Sequence, residues 1–259
     1  MTRTPSNSVN ARNAVILEAI KNLKSEHPFW GYRRVWAYLK FGLGLDLNKK
    51  RILRLMRQNG LTVKPDTRLK ATRTPRRNKP KPDHPDQWWG IDMTKVMVEG
   101  FGWIYIVVVL DWFTKKVVGH YAGLQCRAKH WLEALEMAVN NQLRKGARCH
   151  NLNLMSDNGC QPTSIAFMQA CSVLDINQAF TSYNNPKGNA DTERFFRTLK
   201  EELLWLREWT SPFELINELG GWIEYYNADY LHSALGYRSP ARFEEEYLNS
   251  QLLHISEPC

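Results

Sequence analysis

Residues 88–122 read WWGIDMTKVMVEGFGWIYIVVVLDWFTKKVVGHYA, and the fold is decided here. Trp88 to Lys95 alternates in the manner of a half-buried strand, with Ile91, Met93 and Val96 around an acid, Asp92. Glu99-Gly100-Phe101-Gly102 is turn chemistry. Trp103 to Leu110 is a continuous apolar run of strand length, and Lys116 to Ala122 is a third strand after Trp112-Phe113-Thr114. Three strands joined by short turns make an antiparallel meander. Asp92 is costly inside an otherwise apolar strand unless something cationic meets it.

Downstream, a helix is expected from about Ala128 to Leu143, then a short strand, Asn151 to Met155, that runs out into Ser156-Asp157-Asn158-Gly159. A helix over Ser164 to Cys171 and a fifth strand over Ile176 to Phe180 follow. Ser182 to Lys200 begins as a turn (Asn184-Asn185-Pro186-Lys187-Gly188-Asn189) and continues as a helix. In that helix Phe196, Leu199, Leu203 and Leu206 form an apolar stripe. Glu193, Arg197 and Lys200 fall at i, i+4 and i+7 and share another face. Asp191, in the first turn, suits the helix dipole. Ser211-Pro212-Phe213-Glu214 is a capping box opening a helix expected to bury Ile216, Leu219, Ile223 and Tyr226. The order β-β-β-α-β-α-β-α-α predicts an α/β fold, a mixed five-stranded sheet with flanking helices.

Upstream the chain changes character. A helix from about Asn10 to Glu26 turns Val15, Ile16, Ala19, Ile20 and Leu23 inward and stops at His27-Pro28. Gly31 to Lys40 is a second helix, Gly42-Leu43-Gly44 a turn, and Asn48 caps a third helix that ends at Gly60. The third helix buries Ile52, Leu55 and Met56 and presents Lys49, Lys50, Arg51, Arg54 and Arg57. This is a small all-α domain of helix-turn-helix type whose basic element is placed to meet DNA. Trp30, beside Gly31-Tyr32-Arg33-Arg34, is a candidate for stacking on DNA. Residues 64–85 form a Pro-rich basic linker that includes Arg76 and Arg77. The expected domains are 1–63, linker 64–85, catalytic core 86–210, and a helical extension 211–259.

Charge is divided the same way. Residues 1–82 hold 20 Lys and Arg against 4 Asp and Glu, leaving 15 against 22 in residues 83–259. The first third suits a polyanion; the rest is an acidic body. No apolar run reaches transmembrane length and no leader is visible at Met1, so no membrane partner and a cytoplasmic location are expected. The five cysteines have no CxxC spacing, and neither they nor the seven histidines have finger spacing. Reduced, mostly buried thiols and no zinc are therefore expected.

Asp92, Asp157 and Glu193 each have an ordinary reading alone: a strand-edge ion pair, a turn residue, a surface pair. Together, coming from the first strand, the end of the fourth and the start of a late helix, they are three oxygen donors that suit Mg²⁺. Asp111, at the end of the second strand, reads as structural.

Four motifs carry a family resemblance: Trp-Gly-Ile-Asp92-Met-Thr; Val-Leu-Asp111-Trp-Phe-Thr-Lys-Lys; Ser-Asp157-Asn-Gly; and Lys-Gly-Asn-Ala-Asp-Thr-Glu193-Arg-Phe-Phe-Arg-Thr-Leu-Lys200. They resemble the core of retroviral-integrase-like DDE transposases, with 35 residues between Asp157 and Glu193. His27-Pro-Phe-Trp-Gly-Tyr-Arg-Arg-Val35 and Tyr226 to Pro240 resemble the second-reading-frame transposases of bacterial insertion sequences. The resemblance implies an RNase H-like core with Asp92, Asp157 and Glu193 as catalytic metal ligands. It implies Mg²⁺, with Mn²⁺ able to substitute, as a pair of ions. It also implies Lys200 near DNA phosphates, together with Lys187, Arg197 and His232. The activity implied is cleavage of DNA strands at element ends followed by 3′-hydroxyl strand transfer, without a covalent enzyme intermediate. Expected partners are element-end and target DNA, further copies of the chain, and an upstream-frame product fused or associated. The alternatives are a purely hydrolytic nuclease and a DNA-binding regulator.

Overall fold

A computed structural model describes residues 7–63, 80–143, 146–181 and 189–255. The chain divides into two compact units, one of Met1–Thr74 with Leu231–Tyr237, the other of Pro75–Tyr230 with Arg238–Cys259.

In the first unit, α1 (Asn7–Glu26), α2 (Tyr32–Ala37) and α3 (Lys49–Gln58) surround Ile16, Ile20, Leu23, Val35, Leu39, Ile52, Leu55 and Met56. Val15, expected inside, is exposed. The buried stripe is Ile16, Ile20 and Leu23 at i, i+4 and i+7, and Val15 lies about 100° round the helix from it. After α2 the helix continues through a π turn, Tyr38–Gly42. Asn48 caps α3 by accepting the Lys50 N–H at 2.8 Å, the best use of an Asn at that position. Leu231–Tyr237 closes this unit: the Tyr237 ring stacks on Phe41 and meets Trp36 edge-on.

The second unit is built on five strands, β1 (Trp88–Val98), β2 (Gly102–Asp111), β3 (Val117–Gly123), β4 (Asn153–Ser156) and β5 (Asn177–Phe180), in the order β3-β2-β1-β4-β5. The β1–β2–β3 meander is antiparallel, and β4 and β5 join it in parallel. The mixed sheet is the one the sequence predicts. On one face, Trp89, Ile91, Val107, Val109, Val118 and Leu154 pack against Trp131 and Leu135 of α4 (Ala128–Gln142) and Phe167 of α5 (Ile165–Val173). Gly119 lets α4 lie on β3: a Cβ there would stand 2.2 Å from the Ala134 carbonyl oxygen, so any larger residue forces the helix off the sheet. The other face receives α6 (Ala190–Leu199). Edge strand β3 is blunted by a side chain, since Asn227 accepts from the Val117 N–H and donates to its carbonyl, both at 2.9 Å. Asn227 belongs to α7 (Pro212–Ala228), which packs against α8 (Pro240–Ile255). Ser211 caps α7 as expected.

Two apolar assignments are corrected. After α6 the helix widens into a π turn, Lys200–Leu204, whose extra residue rotates the stripe, so Phe195, Phe196, Leu199 and Leu204 are buried while Leu206 is exposed. In α7, Leu215 takes the core position expected of Ile216, which is exposed, alongside Leu219, Trp222, Ile223 and Tyr226.

Candidate active site

Strand alternation puts Trp88, Gly90 and Asp92 on the face of β1 opposite Trp89 and Ile91. That face meets α6. β4 runs parallel to β1 with Gly90 paired to Met155, so carrying the register two residues on brings Asp157 alongside Asp92. Glu193 lies in the first turn of α6. The three acids thus leave a central strand, the end of its parallel neighbour and the helix that packs on the central strand.

Each acid is held differently. Asp92 is half-buried and its Oδ1 accepts the Met93 N–H at 2.8 Å, leaving Oδ2. Its pKa is pushed up to about 6, first by burial and then by the charges of Asp157 and Glu193, against the pull of its own hydrogen bond and of Lys200. Asp92 therefore feels the other three groups. Asp157 is exposed, and its Oδ1 accepts the Gly159 N–H at 3.0 Å in an Asx turn. Among the described residues, no three Asp, Glu, His or Cys side chains are drawn tightly enough together to ligate a metal already. Like charges repel, so three carboxylates are drawn tightly together only where a cation offsets them.

Two more acids lie beyond them. Asp111 is buried, its Oδ2 accepting from the Thr114 N–H at 2.8 Å and hydroxyl at 2.6 Å. Burial raises its pKa and those bonds oppose the rise. It pins the turn after β2, the structural part expected of it. Asp86 was not singled out in the sequence. It sits at φ +62° and accepts from Trp89 Nε1 at 3.1 Å. Burial, and then the charge of Asp111, push its pKa up to about 7. Nothing local distinguishes such a residue, because its burial is created by elements far along the chain.

The cations separate into tied and solvent-facing groups. Arg51 donates to Asn13 Oδ1 through both Nε and Nη2, and Lys49 Nζ lies 4.0 Å above the Trp36 ring. Lys50, Arg54 and Arg57 are exposed at i, i+4 and i+7, a stripe along α3. Arg197 pairs with Glu201 at 2.8 Å, and Lys200 starts the π turn within electrostatic reach of Asp92. His232 falls in Leu231–Tyr237, with the helical unit. Lys187, Arg76 and Arg77 lie outside the described residues, as do residues 64–79 of the linker expected over 64–85. Trp30 does not offer a stacking face: it is buried, 3% exposed, with His27 stacked on it at 3.9 Å. Of the three thiols whose burial is described, Cys171 is buried, Cys126 half-buried and Cys160 exposed.

Comparison with known proteins follows the same division. An HTH-like domain matches residues 11–68, and integrase core domains match residues 82–186 and 174–240. An insertion element IS600 uncharacterized 31 kDa protein from Shigella sonnei is 28% identical over 84% of this chain and 82% of its own length. The transposase InsD for insertion element IS2 from Escherichia coli is 26% identical over 88% of this chain and 77% of its own. The chain belongs to the insertion-sequence DDE transposases. A solved simian T-cell lymphotropic virus intasome, in complex with PP2A regulatory subunit B56 gamma, matches the transposase with a TM-score of 0.53 and 16% identity. It covers 87% of this chain and 74% of that one. At that identity the likeness concerns the fold, and it agrees with an RNase H-like core behind a helical domain. Among the described residues no helix of the transposase is long and apolar enough to cross a membrane.

Proposed function

We propose that this transposase cuts DNA at the ends of its insertion element and joins the freed 3′-hydroxyl to a second DNA, with Asp92, Asp157 and Glu193 as the metal-holding acids. The observation that carries the reading is their common placement: three carboxylates from β1, the end of β4 and the start of α6 within one electrostatic neighbourhood. As donors they are hard oxygens, suited to Mg²⁺ or Mn²⁺ and, with several oxygens available, to a pair of ions. No thiolate or imidazole set among them suits zinc. When bound, such ions supply Lewis acidity and an activated water for in-line displacement at phosphorus.

The chain's own groups do the rest. Asp92 anchors the site on the central strand of the sheet. Asp157 sits on a loop held by its own Asx turn, able to adjust. Lys200, within electrostatic reach of Asp92, is the cation that meets a phosphate beside the scissile one, and Arg197, Lys187 and His232 are further DNA-binding residues. Lys50, Arg54 and Arg57 grip duplex phosphates from α3, while Lys49 and Arg51 brace that helix at the DNA surface. Arg76 and Arg77 add two more cations to the DNA-binding set. Cutting and joining two element ends calls for a homo-oligomer on DNA, with the upstream-frame product fused or associated. Work on bacterial DNA places it in the cytoplasm, at the nucleoid. A purely hydrolytic nuclease and a DNA-binding regulator are not favoured, because a relative, InsD, is a transposase and the core matches integrase core domains.

The test uses a labelled element-end duplex with Mg²⁺. Asp157→Asn should keep DNA binding and lose cleavage, and a pre-cut end should yield strand-transfer product with the native protein only. Cleavage surviving in Asp157→Asn would remove that residue from the ligand set, and hydrolysis without strand transfer would leave the nuclease reading.

A further inference from the structure

We propose that Gly90, Trp112, Asn189 and Thr192 form a latch that fixes where Glu193 stands relative to Asp92, and so act as positioning residues for the reaction; this rests on the triad reading above. The contact is unusually close. A Cβ at Gly90 would lie 2.2 Å from Thr192 Oγ1, 2.4 Å from Trp112 Nε1 and 2.6 Å from Asn189 Oδ1. A glycine inside a strand commonly marks such an approach, and here three polar side chains rest directly on the backbone of β1.

The polar atoms are arranged to join elements. Trp112 Nε1, on the turn after β2, donates to Thr192 Oγ1 at 3.3 Å in a buried position. Asn189 Nδ2 donates to the Ile91 carbonyl oxygen at 3.4 Å, also buried. Asn189 occupies the N-cap position of α6, where Asn would ordinarily bond the helix's own N–H groups, yet it makes no side-chain cap bond. Its amide is turned to the strand instead, and its buried Oδ1 finds no donor among the described residues. A good cap residue that does not cap is a local rule broken for position. A second tie lies alongside: Lys115 Nζ bonds both the Trp112 carbonyl oxygen and, at 3.1 Å, Asp191 Oδ2 in the first turn of α6.

Register explains what the latch controls. Gly90 and Asp92 are successive residues on one face of β1, and Thr192 and Glu193 are successive residues of α6. Docking Thr192 on Gly90 therefore sets Glu193 beside Asp92 with little freedom left. Two oxygen donors from separate elements must stand within a few tenths of an ångström of ligating geometry, and a misplacement of about 1 Å can cost on the order of 10²-fold.

The test is Mn²⁺ affinity of the full chain, by calorimetry, with thermal melting in EDTA as the fold control. Thr192→Val keeps shape and removes the hydroxyl; it should weaken Mn²⁺ binding about 10- to 100-fold while the metal-free melting temperature moves by only a few degrees, roughly. Thr192→Ser should restore affinity to within about threefold, and Asn189→Leu should behave like Thr192→Val. Gly90→Ala, which pushes α6 away, should lose affinity further or fail to fold; the Thr192 pair decides the matter if it does not fold. Native-like affinity in both Thr192→Val and Asn189→Leu overturns the latch, as does a loss that Thr192→Ser fails to rescue. Glu193→Gln is run beside them. If it weakens Mn²⁺ binding while the latch variants do not, the latch alone falls; if it leaves affinity unchanged, the triad reading falls and takes the latch with it.

Discussion

The two units of this transposase use charge in opposite ways. On α3 of the helical unit, Lys50, Arg54 and Arg57 stand in water, where each is a screened point charge that costs nothing to expose. On the α6-facing side of the sheet, Asp92 is taken partly out of water and placed near two more acids, so its proton is held to about pH 6. The first arrangement suits loose contact with a polyanion, adding up by number. The second is unfavourable unless a cation offsets it. Grip and chemistry are thus separable, and experiments can pull them apart.

The largest effect should fall on chemistry alone. Glu193→Gln or Asp157→Asn should reduce strand cleavage by at least about 10³-fold, since several kcal/mol of transition-state charge stabilisation are at stake. Gel-shift affinity for the same duplex should change by less than about twofold in either variant. The converse experiment acts on grip. Replacing Lys50, Arg54 and Arg57 together by Ala should weaken duplex binding by roughly one to two orders of magnitude and flatten the log–log salt slope by about two to three. Mn²⁺ affinity should stay as in the native protein; if it moves, the two functions are not separable.

Acidity gives a smaller handle. Protons compete with the metal for Asp92, so Mn²⁺ affinity measured by calorimetry should be level above about pH 6 and fall by up to about tenfold per pH unit below it. The smallest effect concerns stability. Asp86 has its pKa raised to about 7, so the stabilisation tied to its protonated form is complete below its ordinary value near 3.8 and is lost as pH rises through about 7. Asp86→Asn keeps an acceptor for Trp89 and tolerates the positive φ. It should therefore be more stable than the native protein at pH 8, by roughly 1 kcal/mol because partial exposure screens most of the cost, with the gap closing toward pH 4. An unchanged difference across that range would show that burial of Asp86 carries no electrostatic cost.

Strand alternation and turn chemistry were enough to read the sheet: Trp88 to Ala122 announces its meander residue by residue, and Asp92 stands out because acids are rare in such company. The acid at Ser156-Asp157-Asn158-Gly159 is legible for the same reason, at the end of a short apolar run. What escaped needed knowledge of distant neighbours. Val15 and Ile216 are apolar residues one helical step from the buried stripe, and only the packed partner decides which side is inside. Trp30 reads as an exposed aromatic among arginines until His27 is seen covering it. The π turn at Lys200–Leu204 leaves no mark in composition, yet it rephases the helix that follows Glu193. Gly90 was the available clue to the contact between β1 and α6, a glycine where a strand would prefer bulk.

Leu231–Tyr237 makes the helical unit discontinuous. Tyr237, at φ +63°, stacks on Phe41, meets Trp36 and lies 5.2 Å below Lys49 Nζ, so seven residues from late in the chain complete a wall begun before residue 50. A truncation at the linker cannot liberate either half cleanly. A fragment ending near residue 74 leaves Trp36 and Phe41 uncovered, and one starting there carries a stranded tyrosine with nothing to lie on. Anyone dissecting this enzyme by subcloning has to graft the heptapeptide onto the amino-terminal piece or work with the chain uncut.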